Sequence, residues 1–110
     1  MHHDMQAEAK ICLDCHATCV ATIAHCLEHG GKHADAAHIR IMMDCAQICL
    51  TCADFMLRGS DHAHHLCKEC AEICRACEAS CRAVADGDAM DLTCAEACKA
   101  CAESCSRMAA

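Results

Sequence analysis

An all-α, antiparallel up-down-up-down four-helix bundle with a cysteine-lined interior is the fold this sequence predicts, on three observations. The 110 residues contain no Pro and are rich in Ala and Met, the composition of a helical chain. All four Gly fall in three short breaks that divide the chain into four similar lengths. Within each length the Cys, sixteen in all, recur at steps of three, four or seven, the spacing that keeps side chains on one helical face.

The breaks are His29-Gly30-Gly31-Lys32, Arg58-Gly59-Ser60-Asp61 and Ala85-Asp86-Gly87-Asp88, where Gly accepts the left-handed conformation that ends a helix. Asp4, Ser60 or Asp61, and Asp88 are placed to cap the helices that follow them. Asp91 adds negative charge to the first turn of the last helix. The second helix starts between Lys32 and Asp35. These signals give helices at roughly 4–29, 33–58, 61–85 and 88–108 in one domain spanning residues 1–110. Short loops make successive helices antiparallel, so the first and third loops share one end, and the second loop and both termini the other.

The first helix carries Cys12, Cys15, Cys19 and Cys26, with Thr22 or Ile23 in the gap, and the second carries Cys45, Cys49 and Cys52. The third carries Cys67, Cys70, Cys74, Cys77 and Cys81, and the fourth Cys94, Cys98, Cys101 and Cys105. Ile11, Leu13, Ile23, Leu27, Ile41, Ile48, Leu66 and Ile73 flank the stripes, and Ala46, Ala71, Ala97 and Ala100 allow close helix approach. Charged residues such as Lys68, Glu69, Arg82 and Lys99 fall beside or behind them. This is the binary pattern of a bundle in which thiols hold positions usually given to Leu. A unit of the form Cys-Ala-(Glu/Gln)-(Ile/Ala)-Cys-x-x-Cys repeats from helix to helix, and no single copy buries its own face.

With two Val, six Ile, six Leu and one Phe, the chain is poor in ordinary core residues. Cys packs less apolar volume than Leu, so packing alone explains one or two buried Cys and not the whole set. Disulfides between neighbours on one helix fit the bond's geometry badly, and bridges across helices require an oxidising compartment. Metal ligation accounts for the set: soft thiolates select Cu(I), Zn(II) or iron–sulfur clusters, and the ion replaces the proton and supplies the opposite charge. Zinc prefers closed groups of four donors, and iron–sulfur clusters prefer wrapping loops. Donors on rigid helices along a continuous line suit Cu(I) on two or three thiolates, with pairs such as Cys15/Cys19, Cys45/Cys49, Cys70/Cys74, Cys77/Cys81, Cys94/Cys98 and Cys101/Cys105. Two alternatives stay open: a zinc or mixed-metal thiolate module, and a metal-free bundle with a structural or redox-buffering role.

Other soft donors gather at the ends. His25, His29, His33, His38, Met42, Met43 and Met90 are expected at the end formed by the first and third loops. His2, His3, Met5, Met56, His62, His64, His65 and Met108 are expected at the other. His38 and Met42 continue the second helix's stripe and Met90 precedes Cys94 by four, so these three are the expected ligands at an entrance for the metal. The net charge of −7, with one aromatic residue apart from His and no basic stripe, argues against nucleic acid or anionic membrane as partner. No acid–base pair marks an enzyme; His16 beside Cys15 points away from it on a helix. No basic-then-apolar leader precedes the first helix and no apolar run is long enough to span a membrane, so a reducing cytoplasm is the expected compartment.

The stretches Cys70-Ala71-Glu72-Ile73-Cys74-Arg75-Ala76-Cys77 and Cys94-Ala95-Glu96-Ala97-Cys98-Lys99-Ala100-Cys101 resemble those of the bacterial copper storage proteins, small Cys-rich four-helix bundles. The resemblance runs from Cys12 to Cys105. It implies multiple Cu(I) ions held on the sixteen Cys, weaker His or Met sites at an open end (here His38, Met42 and Met90), and a homotetramer. It also implies a copper chaperone or exporter as partner, and a role in copper reserve and detoxification. One branch of that family is exported by a twin-arginine signal; this sequence resembles the cytosolic branch. The Thr22/Ile23 gap, and the lack of Cys before Cys45, imply fewer copper sites near one end.

Overall fold

The computed structural model describes residues 2–109, with side chains from residue 5 onward. The expected cap Asp4 and the expected end donors His2 and His3 lie outside the described side chains. Helix α1 spans His2–His29, α2 Ala36–Leu57, α3 Ala63–Ala85 and α4 Ala89–Ala109, and a short 3₁₀ turn, Gly31–Ala34, joins the first two. The body is a rod of 43 × 19 × 18 Å. Each helix packs against its two neighbours around the ring, α1 on α2 and α4, and α3 on α2 and α4.

Local chemistry sets the helix ends. Gly30 leaves α1 with φ of 76°, a left-handed conformation open to Gly at little steric cost, and its N–H donates to the Cys26 carbonyl at 3.1 Å. Residues 31–34 close into the 3₁₀ turn instead of extending α2, which therefore begins later than the expected residue 33. Asp35 is its cap, accepting from the Ala37 N–H at 3.2 Å. Asp88 caps α4 as expected, accepting from the Asp91 N–H at 2.9 Å. The start of α3 differs: His62 occupies the cap position, and Ser60 Oγ accepts the His62 N–H just before the helix. Three contacts tie the first and third loops together at one end: Lys32 with Asp86 at 2.6 Å, His25 with Asp88 at 2.9 Å and His33 with Asp91 at 2.7 Å.

The core is made of sulfur and small residues. All sixteen Cys are buried, joined by Ala9, Ala46, Ala53, Ala71, Ala95 and Ala102, with Met42 and Met56 as the largest side chains. Among the described residues no Ile, Leu or Phe is buried; Ile11, Leu13, Ile23, Ile41, Ile48, Leu66 and Ile73 are half-buried along the seams. Two expected packing residues are corrected: Leu27 is 55% exposed and Ala100 faces solvent, because each falls on the outer side of its helix. A fully buried Leu contributes about 1.5–3 kcal/mol, and this core contains none. The gap in the α1 stripe is filled by Thr22, whose hydroxyl is satisfied by the Thr18 carbonyl at 2.7 Å.

Two outcomes follow from this construction. Asp35→Ala is expected to destabilise the reduced protein by about 1 kcal/mol, read from urea unfolding, with no change if α2 does not depend on its cap. The half-buried seam residues and Ala contacts need no ion, so reduced protein treated with chelator is expected to retain its helical circular dichroism. A coil spectrum would mean that metal drives folding.

Candidate metal centre

The spacing of three and four residues brings every stripe to the bundle axis, where sulfurs from all four helices meet. Along one helix, Cys15 and Cys19 lie 4.0 Å apart and Cys70 and Cys74 lie 3.8 Å apart. Contacts across helices are as close or closer. Cys52 and Cys67 approach to 3.4 Å, Cys12 and Cys105 to 3.6 Å, Cys45 and Cys74 to 3.6 Å, and Cys19 and Cys94 to 3.8 Å. Cys49 on α2 reaches Cys101 on α4 at 3.7 Å, so sulfur spans the diagonal of the ring. All sixteen are free thiols.

Four groups of four sulfurs are each tight enough to hold an ion: Cys12/Cys52/Cys70/Cys105, Cys15/Cys45/Cys49/Cys74, Cys15/Cys19/Cys45/Cys98 and Cys49/Cys70/Cys74/Cys101. They overlap. Cys70 belongs to the first and fourth, Cys15 and Cys45 to the second and third, and Cys49 and Cys74 to the second and fourth, so at most two groups can close without sharing a sulfur. Cys77 and Cys81 on α3, both fully buried, extend the line of sulfur toward the loop-one end.

Hydrogen bonding among the buried thiols shifts neighbouring groups in opposite directions. Cys19 lies between Cys15 and Cys94, and its hydrogen bond with Cys15 pushes it above the usual thiol range. The hydrogen bond it shares with Cys19 holds Cys94 below that range. Thiols of this kind bind metal by exchanging a shared proton for a cation.

The ends differ in chemistry. At the loop-one end His38 and Met42 are both buried, as the helical phase of α2 requires, and His38 Nε2 lies 3.6 Å from Cys26 Sγ. Burial holds the His38 imidazole below its usual range, keeping it neutral and able to donate a lone pair. Met90 does not join them: it is 36% exposed, turned to the outside of α4. Its place is taken by Asp91, which is fully buried. Both residues share the phase of the Cys stripe, Met90 four and Asp91 three before Cys94. The expectation that Asp91 only adds charge to the first turn is therefore incomplete, because the Cys26 thiol donates to its Oδ1 at 3.1 Å and His33 lies against its Oδ2. At the opposite end Met56 is buried with its Sδ 3.8 Å from Cys67 Sγ, Met5 and Met108 are half-buried, and His62, His64 and His65 are exposed. His25, His29 and Met43 at the loop-one end also lie partly or wholly in solvent.

A four-helix bundle whose axis is a column of free thiols defines a multinuclear thiolate metal-binding protein. The family model described as copper storage protein matches residues 1–110, and the chain belongs to that family. Among solved structures it is similar to a protein of Nitrosospira multiformis, 44% identical with a TM-score of 0.90, the match covering 99% of this chain and 97% of that one. It is also similar to the Cu(I)-bound copper storage protein BsCsp3, 36% identical with a TM-score of 0.89, covering 97% and 99%. The apo form of copper storage protein 3 from Bacillus subtilis is 36% identical with a TM-score of 0.83, covering 94% and 97%. No curated protein matches. No helix among the described residues is long and apolar enough to cross a membrane.

Burial and the neighbouring Asp91 push the Cys26 thiol up from 9.0 to about 12. The folded protein therefore keeps a proton that an unfolded thiol loses near pH 9, so this contribution to stability is complete below that value and lost as pH rises toward 12. Urea midpoints of the reduced protein are expected to fall across that window, and a smaller fall in Cys26→Ala assigns the effect.

Proposed function

We propose that this protein stores Cu(I): many ions per chain, held by the interior Cys thiolates and released from one end, as a reserve and as protection against free copper. The carrying observation is the overlap of the sulfur groups. Closed tetrahedral zinc sites need four sulfurs each, and at most two of the four groups can close at once. A metal satisfied by two or three thiolates, with sulfurs bridging ions, uses the whole column. The family of the chain and the Cu(I)-bound relative support the same choice. A store binds and releases without transforming its cargo, and the protein is not an enzyme.

The sixteen Cys are the proposed copper ligands, with His38 and Met42 as weaker donors beside Cys26 at the loop-one entrance. Met90, the third soft donor expected there, lies at the rim of the same end and is the weakest candidate, since its exposed thioether reaches copper only before the ion enters the bundle. Imidazoles lead outward from this end, with ring centroids of His33 and His29 3.9 Å apart and those of His29 and His25 5.9 Å apart. A cytoplasmic location fits sixteen free thiols, which a reducing compartment keeps available, and a copper chaperone or exporter is the partner class that storage requires. An apolar groove of about 550 Å³ between α1 and α2, lined by Val20, Ile23, Leu27, Ile39, Met43 and Leu50, supports self-association on that face, a tetramer by family resemblance.

Anaerobic titration of reduced protein with Cu(I) against a competing chelator is expected to show many tightly held ions per chain. Cys49→Ser, which removes a sulfur from two groups, is expected to lower that number with helical content unchanged. Each independent site filled a thousandfold above its dissociation constant adds about 4 kcal/mol of stability, so thermal unfolding should move sharply upward on loading. A stoichiometry near one ends the storage reading. For the assembly, sedimentation of the wild type is expected to show an oligomer, and Leu27→Lys combined with Met43→Lys a smaller species; a monomeric wild type contradicts the shared face.

A further inference from the structure

We propose that Met5, Met56 and Met108, with Cys67, form an outer Cu(I) site at the loop-two end of the bundle, a second place where copper is exchanged. Helical phase puts a methionine at the end of three of the four stripes. Met5 is seven before Cys12 on α1, Met56 four after Cys52 on α2, and Met108 three after Cys105 on α4. On α3 the position one turn before Cys67 is Ala63, which is buried and leaves that side of the ring without a bulky side chain. Met56 is 2% exposed, and the Cys67 thiol donates to its Sδ at 3.8 Å. Cys49 and Cys70 inside the column stand equally far apart, so the line of sulfur continues past its last thiols as thioether. Met5 and Met108, both half-buried, pack against the same core, so sulfur runs from the surface inward to the fully buried Cys67.

The chemistry of this end differs from that of the column. A thioether is a neutral, soft donor that accepts Cu(I) and offers little to divalent ions of borderline softness. Met also fills irregular core ends as an adaptable apolar side chain. Packing alone does not ask for sulfur at three stripe ends, and the chain has Ile and Leu to spare, none of them buried among the described residues. On binding, Cu(I) replaces the Cys67 proton, which passes to solvent. The thiolate then neutralises the single charge of the ion, and the thioethers complete its shell without adding charge. Glu8, one turn along α1 from Met5, has one carboxylate oxygen buried without a hydrogen-bond partner among the described residues and the other 3.8 Å from Arg107. Its charge favours a cation at this end. An ion held mainly by thioethers is held more weakly than one between thiolates, which suits a place of exchange. The inference rests on the storage reading, because an outer site serves only a column that is loaded.

The test loads reduced, full-length protein anaerobically with excess Cu(I) in the presence of Zn(II) and maps both metals by anomalous diffraction at their edges. The expected result is a copper peak among Met5, Met56, Met108 and Cys67, with no zinc there. Combining Met5→Leu, Met56→Leu and Met108→Leu keeps the side-chain volume and removes the thioethers. This variant is expected to keep its helical circular dichroism and to lose about one ion per chain from its copper count. Its remaining copper is expected to pass to an anaerobic Cu(I) chelator roughly twofold more slowly. Zinc at the methionine layer, or an unchanged count and rate in the variant, overturns the site. The wild-type maps decide even if the variant is unstable. A copper-filled column beside an empty methionine layer removes the outer site and leaves storage standing. Copper at the methionine layer with few ions in the interior does the reverse.

Discussion

Sixteen thiols on the axis of a bundle impose one constraint from which the rest follows: the interior is short of apolar volume and full of removable protons. Cys26, Cys49 and Cys74 sit where a Leu would ordinarily pack, and Ile and Leu are displaced to the seams, where they are only half-buried. The helical scaffold closes around this interior through small contacts, Ala53, Ala71, Ala95 and Ala102 among them, that let four backbones approach. The thiols in contact then stand 3.4–4.0 Å apart, close enough for one cation to touch several and for one sulfur to touch several cations. Burial opposes thiolates without a cation and favours them with one. Capacity is thus a property of the packing, not of any single site.

The two ends of the column show how the same geometry is tuned by the residues that interrupt it. Where the Cys stripe stops at Met56, the terminus is thioether and half-buried apolar side chains. Where it stops at Cys26, the helical phase delivers Thr22, His38, Met42 and Asp91 to the axis instead, and the donors change from uniform sulfur to a mixture of sulfur, nitrogen and oxygen. The polar end is also the end with His33, His29 and His25 leading to solvent, which supports the proposed exchange with the surroundings there.

Much of this was legible in the sequence because period and composition state it directly. Steps of three and four fixed which face each Cys occupies, and four Gly in three breaks fixed the helix count and the order of the ends. Two kinds of information were not. Within a phased stripe, positions three and four before Cys94 are equally inward by period, and the soft thioether favoured Met90 as a ligand; the buried partners of Asp91, Cys26 and His33, lie dozens of residues away, so only tertiary contact reveals them. The start of α2 was similarly hidden, because Gly31–Ala34 form a 3₁₀ turn whose sequence carries no cap until Asp35. The preference for Cu(I) over zinc was legible in the line of donors on rigid helices, and the overlap between sulfur groups, a feature of distances between helices, supports it further.

X-ray absorption at the copper edge of the fully loaded, reduced protein reads the central claim without a crystal. Sulfur as the dominant nearest neighbour of every copper, together with scattering from nearby copper atoms, is the predicted result, since bridging sulfurs bring ions together along the axis. A nearest shell dominated by nitrogen or oxygen, or isolated copper atoms with no copper neighbours, would contradict a thiolate column that works as a store.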